Sequence, residues 1–415
     1  MAEFAGLGSR PLLSMEGGVE HFDPGIHLLQ LWANVCIIET GEGVVVFDPG
    51  FEFYGPRVVQ ELKALGSPPV RYIIYGHGHA DHAFGAGAIR EDAEARGQPR
   101  PMIVAHENLP HRFDRYREML PYHEHINRIQ FAIPDKLPAF ARNYIYPDLT
   151  FSSALSFRLG GLTFELRHAQ GETDDTCWLW IPERKTVCAT DLWVWSCPNV
   201  GNPFKVQRYE VEWAEALETI AGLSPELLLP GHGPAIQGAE EIKRACTTVA
   251  RALRHLHAEV VGMLNQGKWP EEILHRFTWP QEFADSPYLK PIYGHPYFIV
   301  QAILRRYHGW HDGNAAHLFP ASSRAIAQEV LRLVGDPQKL LARARELAQA
   351  GQTQLALHLA DFVIDSNDQE PRQALELKAQ CLQALADREP SLIARNIFLA
   401  GVRQVQKALR KEARD

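Results

Sequence analysis

Within Tyr75-Gly-His77-Gly-His79-Ala-Asp81-His82, three histidines and an aspartate fall inside six positions. An apolar β-type run, Val70–Tyr75, precedes them, and small residues and the start of a helix follow. A loop held between a strand and a helix can aim such side chains at one region. Imidazole nitrogen and carboxylate oxygen bind zinc at about 2.0–2.2 Å. His77 and His79 lie two apart in an extended segment and point the same way. Asp81 and His82 follow on the turn and can face a second point nearby. A merely polar surface loop would not require further His and Asp residues at matching places downstream, and such residues exist.

Val44–Phe47 reads as the return strand of a hairpin and ends in Asp48-Pro-Gly50. The acid either accepts a hydrogen bond from behind the ligand loop or caps the segment that follows. Residues 55–66 have a helical apolar period, 70–75 a strand pattern, 84–97 a helical one and 101–105 a strand pattern again. This β-α-β rhythm indicates a layered α/β domain. Three more apolar strands then end in ligand-type residues. Leu162–Leu166 runs into Arg167-His168, Lys185–Ala189 into Thr190-Asp191, and Glu226–Pro230 into Gly231-His232-Gly233. Seven such side chains at strand-to-loop junctions are what a dinuclear metal centre requires. The 109–131 segment carries Arg112, Arg115, Tyr116, Arg117, Tyr122, His123, His125 and Arg128, and could roof that centre with cationic and phenolic groups.

At 415 residues the chain is expected to divide into two or three domains. The formal net charge of −8 argues against nucleic acid or an anionic membrane as the main partner. None of the six cysteines forms a Cys-x-x-Cys pair, and several lie in apolar runs, so buried free thiols are expected rather than disulfides. The first ten residues lack a basic stretch followed by an apolar core, and no apolar run approaches the ~20 residues of a membrane span. A soluble, cytoplasmic protein is the expectation.

Beyond residue 239 the pattern turns helical. A long helix is expected over 239–266, another over 297–308, and a structured turn at Tyr307-His-Gly-Trp310-His-Asp312-Gly-Asn314. Residues 322–410 read as all-α, with alanine and leucine at helical spacing in five segments punctuated by Gly, Pro and Asp. The paired-helix rhythm is like a tetratricopeptide array, a module that buries its apolar faces against other helices.

His77-x-His79-x-Asp81-His82, His168 with Gly171-Glu-Thr-Asp174, Asp191 and Pro230-Gly-His232-Gly resemble the ligand set of the metallo-β-lactamase superfamily. The resemblance covers about the first 240 residues. It implies an αββα sandwich with one metal on His77, His79 and His168, a second on Asp81, His82 and His232, and Asp191 bridging them. Tyr307–Asn314, Leu341–Leu347 and Arg395–Gly401 in turn resemble the alkyl sulfatase family and its helical dimerisation domain. That implies a homodimer through the C-terminal helices and sulfate-ester hydrolysis as one function. Alkyl sulfatases usually carry glutamates where this chain has His168 and Asp191. They also continue into a sterol-carrier-like domain, whereas this sequence stops at Asp415. The division expected is a catalytic domain over 1–240, linking helices and a turn over 241–320, and an all-α dimerisation domain over 321–415.

The chemistry expected is hydrolysis by two divalent ions, most simply Zn2+, whose bridging hydroxide attacks an ester-type centre. Asp81 would orient the hydroxide or pass its proton on. Asn199, Lys205 and Arg208 follow Asp191 roughly where alkyl sulfatases place groups that meet the sulfate oxygens. Alkyl sulfates, lactones, thioesters and phosphoesters all remain candidate substrates. An iron-dependent redox enzyme and a non-catalytic scaffold are the alternatives of other classes. Diiron flavoproteins of this fold place a carboxylate at the second motif position, where this chain has His79, which favours zinc.

Overall fold

The computed structural model describes residues 17–22, 24–366 and 372–412. The N-terminal ten residues read above for a targeting signal lie outside them, as does part of Asp365–Asp368, one of the stretches that punctuate the five helical segments.

Apolar runs, several of them buried on both faces, build two sheets in a first compact unit, which takes the chain up to Glu124 and again over Phe140–His308. The first sheet is β1 (Val19–Phe22), β2 (Ile26–Leu29), β3 (Val35–Thr40), β4 (Gly43–Phe47), β5 (Val70–Ile74), β6 (Met102–His106) and β7 (Leu149–Phe151), in sequence order. β1 to β4 pair antiparallel, and β4 to β7 pair parallel. The second sheet holds β8 (Ala154–Leu159), β9 (Leu162–His168), β10 (Cys177–Ile181), β11 (Thr186–Val194), β12 (Leu227–His232) and β13 (Ile236–Gln237). Only β11 and β12 pair parallel there.

Strand alternation sorts the side chains into layers. Ile38, Val45 and Phe47 of the first sheet meet Leu166, Leu179 and Leu229 of the second in a core between the sheets. The opposite face of the first sheet sends Ile37, Val46 and Ile73 against helices α1 (Gly55–Ala64), α3 (Ala86–Ala95) and α4 (Asn108–Glu118), through Val58, Leu62, Ile89 and Phe113. A short helix α2 (Ala80–Ala83) precedes α3, and α5 (Leu120–Gln130) follows α4. The outer face of the second sheet packs Trp178, Val187 and Leu228 against α6 (Glu210–Gly222), α7 (Ala239–Asn265), α8 (Pro270–Arg276), α9 (Gln281–Asp285) and α10 (Pro296–Tyr307). The order helix, sheet, sheet, helix is the αββα sandwich expected from the sequence.

A second compact unit comprises His125–Ala139 and the chain from Gly309 onward. Its helices are α11 (Ser323–Val334), α12 (Pro337–Gln349), α13 (Thr353–Ser366), α14 (Arg372–Arg388) and α15 (Leu392–Glu412). Leu341, Ala344, Leu357, Ala360, Leu377 and Cys381 interlock α12, α13 and α14. Ser322 and Asp336 cap α11 and α12 through hydrogen bonds to backbone N–H groups, and Gly335 closes α11 in the left-handed region at φ 79°. All six cysteines are free and buried. Among the described residues no helix is long and apolar enough to cross a membrane.

The two sheets are locked together at the end where β12 stops. Asn34 is buried, and its Nδ2 donates to the carbonyls of Pro230 (2.9 Å) and Gly233 (2.7 Å). Its backbone N–H donates to Gly231 O at 2.7 Å. Asn34→Ala strips the side-chain donor from two carbonyls. Removing it should lower the unfolding free energy by about 2–4 kcal/mol, read as a lower urea midpoint at unchanged slope.

Candidate metal centre

The ligand-type residues converge because the strands that carry them end at the same edge of the sandwich. β5 runs into the His77–His82 turn, β11 carries Asp191 in an irregular stretch, and β12 ends on His232. Two glycines permit the approach. A Cβ on Gly76 would lie 2.7 Å from both Asp48 Oδ1 and Thr190 Oγ1, and one on Gly231 would lie 2.1 Å from Asp191 Oδ1. Larger residues at either place would push carboxylate or backbone aside.

Two groups result. His77, His79 and Asp191 offer ligand atoms within 4.8 Å of one another, and so do Asp81, His82 and His232. Asp191 faces both. Its Oδ1 lies 3.2 Å from His82 Nε2 and 3.3 Å from His232 Nε2, while Oδ2 lies 3.8 Å from His77 Nε2. His79 turns Nδ1 inward, 2.9 Å from His77 Nε2. Asp81 Oδ2 stands 3.8 Å from His82 Nε2 and 3.7 Å from His232 Nε2.

The outer nitrogen of three of these imidazoles is held by the protein, which fixes ring orientation. His82 Nδ1 bonds Asp48 Oδ2 at 2.9 Å, His77 Nδ1 meets Thr190 Oγ1 at 3.1 Å, and His232 Nδ1 donates to Trp32 O at 2.6 Å. Asp48, placed by the sequence either behind the ligand loop or at a cap, is the acceptor behind the loop. It also receives Gly76 N at 2.6 Å and Thr190 Oγ1 at 2.7 Å. Asp175 plays a similar part from the other side. Its Oδ2 accepts Gly78 N at 2.8 Å and its Oδ1 accepts Arg112 Nε at 2.6 Å. Arg112 is buried on α4 and also pairs with Asp174.

This donor set fits divalent metal. His82 Nε2 and Asp191 Oδ1 are buried without a hydrogen bond, an arrangement that is costly unless something else occupies the space between ligands. Burial, and then His82, hold His77 down at about 3, so that it is the neutral imidazole a metal binds. Burial would raise the Asp191 carboxyl, yet His82 and His232 keep it well below the usual carboxylate range. Asp48, Asp81 and Asp191 all face His82, a concentration of negative charge that a cation would offset.

His168 stands apart from both groups. It closes β9, and its Nε2 donates to Asp174 O at 3.0 Å while its ring stacks on His106 at 3.7 Å and 12°. The chain reverses just beyond it, where Ala169 N bonds Thr176 O, so the tip of the loop rather than its base enters the centre. The tip residue is Glu172, buried, with Oε1 3.7 Å from His79 Nδ1. The sequence reading passed over Glu172, although it stands in the Gly171-Glu-Thr-Asp174 motif four residues after His168. Asn199 and Arg208, expected to meet substrate, both bond Glu172. Asn199 Nδ2 donates to Oε1 at 2.8 Å and Arg208 Nη1 at 2.5 Å. Arg208 also donates to the carbonyl of Asn199. Burial raises Glu172 to about 7 against the pull of Arg208, with Asp191 pushing the same way. Lys205 is half-buried nearby. Burial, then Arg208, lowers its ammonium to about 7, while Glu172 and Asp81 pull it up.

Two protein families match this chain. Residues 33–232 match the metallo-β-lactamase superfamily, and residues 269–408 match the alkyl sulfatase dimerisation family. The chain carries a metallo-β-lactamase domain followed by an alkyl sulfatase dimerisation domain. A linear primary-alkylsulfatase of Pseudomonas sp. is 25% identical over 90% of this chain and 74% of its own length. The alkyl/aryl-sulfatase BDS1 of Saccharomyces cerevisiae is 23% identical over 91% of this chain and 62% of its own. The solved structure of the stereoselective inverting sec-alkylsulfatase Pisa1 from Pseudomonas sp. superposes with a TM-score of 0.83 at 19% identity, covering 94% of this chain and 66% of that one. The chain thus spans between three-fifths and three-quarters of the relatives it matches, and the structural likeness establishes the fold of the metallo-β-lactamase domain and the helical region after it.

Arg208 is the cation that offsets the buried Glu172 carboxylate. Arg208→Met should cost about 3–5 kcal/mol in the chelator-treated protein, measured by urea unfolding, because it strands that charge. Adding Glu172→Gln to the same chain should recover part of the loss.

Proposed function

We propose that this chain is a metal-dependent hydrolase of sulfate esters that acts on alkyl sulfates with two divalent cations, zinc being the ion its ligands suit. The observation that carries the reading is the pair of ligand groups facing the two oxygens of Asp191. The sulfate ester comes from the relatives named as alkylsulfatases, which match at least 90% of the chain.

In this reading His77, His79 and Glu172 hold one cation and Asp81, His82 and His232 the other, with Asp191 reaching both. Bound there, such cations would polarise sulfate oxygens and lower the pKa of water from 15.7 towards about 7. The chain's own residues do the rest. Asp81 accepts the proton of the attacking water at Oδ1, its Oδ2 being turned toward His82 and His232. Lys205 presents its ammonium to the sulfate charge. Arg208 and Asn199 position Glu172 through Oε1. Arg112 and Asp175 hold Gly78, and with it the spacing of His77 and His79. The match of 269–408 to a dimerisation family supports a homodimer, for which α11 offers Ile326 and Leu333, exposed at 47% and 88%.

The metal-loaded chain should hydrolyse primary or secondary alkyl sulfates in a panel that includes p-nitrophenyl esters, phosphodiesters and lactones. Turnover of only the sulfur-free substrates would sink the proposal. His79→Ala should abolish activity. By elemental analysis after dialysis, Glu172→Ala should lose metal while His168→Ala keeps the wild-type complement.

Lys205 is cationic below its lowered pKa and neutral above it. The KM for an alkyl sulfate should therefore be lowest below about pH 7 and rise as pH increases through that value. Lys205→Met should raise KM and flatten this dependence. An unchanged profile in the variant would remove Lys205 from substrate binding.

A further inference from the structure

The protein around the two ligand groups differs in kind. Beside His77, His79 and Glu172 the buried partners are amide and guanidinium, with Asn199 and Arg208 on Glu172 and Arg112 behind Asp175. Asp81, His82 and His232 adjoin aromatic rings instead. Trp32 O accepts from His232 Nδ1 at 2.6 Å, so this indole is attached directly behind a ligand. Just past His232, Pro234 O accepts from Trp195 Nε1 at 2.8 Å, and Trp195 follows Val194, which faces His232 across β11 and β12. Both indoles are half-buried and keep part of their rings open.

A third aromatic element starts at Gly50. Gly50 O accepts from Phe84 N at 3.0 Å and Gly85 N at 2.8 Å, immediately after the His77–His82 turn. A Cβ on Gly50 would lie 3.4 Å from Val35 Cγ2 and 3.8 Å from Tyr54 Cβ, so the 51–54 turn packs beside the start of β3, three residues after Trp32. Phe53 stacks on Phe51 at 4.9 Å and 17° and meets Tyr54 at 4.5 Å. Tyr54 is buried and Phe51 half-buried, yet Phe53 is 61% exposed. Asn143 Nδ2 donates to Glu52 Oε1 and pins the turn. One exposed phenyl ring is ordinary, but aromatic rings gathered beside one ligand group mark a binding surface.

We propose that Trp32 and the stacked pair of Phe51 and Phe53 carry the hydrocarbon tail of the substrate and set its preferred length. This rests on the sulfate-ester reading above and deepens it. An alkyl sulfate joins an anion to a hydrocarbon, and the charged flank of the centre can recognise only the anion. The aromatic flank is anchored to His232 and to the end of the His77–His82 turn, so it supplies apolar surface where the tail leaves the reacting ester. Its rings are held by backbone bonds and by each other, so little order remains to be imposed when a tail arrives. Such a wall covers a chain from one side, which corresponds to about twofold in affinity per methylene, against about fourfold for full burial.

Linear alkane-1-sulfonates of four to ten carbons carry a matching head and tail without an ester to cleave. Their affinities for full-length, metal-loaded protein are titrated calorimetrically below micelle formation, and kcat/KM is measured on the corresponding alkyl sulfates. In wild type, affinity should rise about 60-fold from four carbons to ten. Trp32→Ala and Phe53→Ser should each flatten that rise to about tenfold with metal content unchanged, and Phe53→Leu should restore most of it. No chain-length dependence in wild type, or the same slope in wild type and both variants, overturns the proposal. If the variants flatten the slope for sulfonates while wild type turns over no alkyl sulfate, the sulfatase reading falls and the tail site stands. If Trp32→Ala does not fold, Phe53→Ser decides alone, because its ring is mostly in solvent. A Phe53→Ser variant that changes oligomeric state in gel filtration but keeps the wild-type slope would assign the ring to contact between copies and overturn the proposal as well.

Discussion

Asp48 is the carboxylate on which the centre is hung. It follows β4 directly and sits in the left-handed region at φ 55°, a conformation that a non-glycine residue holds only when its surroundings insist. Those surroundings are three hydrogen bonds. Gly76 N brings in the end of β5, His82 Nδ1 the ligand turn, and Thr190 Oγ1 the opposite sheet. Thr190 is itself in the left-handed region at φ 44° and reaches on to His77. One buried acid thus sets the position of two histidines directly or through one neighbour and, like Asn34, adds directional bonds between two sheets whose shared core is non-directional apolar contact. Its cost is visible in its titration, since burial raises the carboxyl even with His82 beside it.

A second tier of charge works from the other flank. Arg112 and Arg208 are both almost fully buried, and each is matched to carboxylates in the 172–175 loop. Buried guanidinium–carboxylate pairs add little stability over apolar packing, but they tolerate only one geometry. Here that geometry presents Glu172 to His79 and holds Asp175 on Gly78. The loop is therefore an ordered part of the centre, although it lies between strands.

The strand ends were legible because each combines an apolar run with an abrupt His or Asp. The sandwich followed from runs such as Val35–Ile38 and Val44–Phe47, which are buried on both faces and so show no alternation of polarity. The helices beyond Ser322 followed from their caps and spacing. The separation of His168 from the two ligand groups has a physical source. Local pattern reveals which residues end a strand, but not which way the chain turns next. His168 and Glu172 are four residues apart, and the reversal between Ala169 and Thr176 decides which of them faces His79. The contacts of Asn199 and Arg208 with Glu172 were not legible for a related reason: what a polar side chain near a site touches is decided by the same chain reversal.

The clasp made by Asn34 has a consequence for how the molecule comes into being. Asn34 Nδ2 and the carbonyl of Gly233 are 199 residues apart in sequence, and Thr190 and Asp48 are 142 apart. At ribosomal speeds of about 5–20 residues per second, the wait between synthesis of Asn34 and of Gly233 is on the order of 10–40 s. From the synthesis of His82 to that of Asp191, the His77–His82 turn exists without Asp191 or His232. The early half of the centre can bind metal only with an incomplete set of ligands, so the full complement is gated by the completion of β12. The two ligand groups are therefore completed in order, the one that includes Asp191 before the one that includes His232.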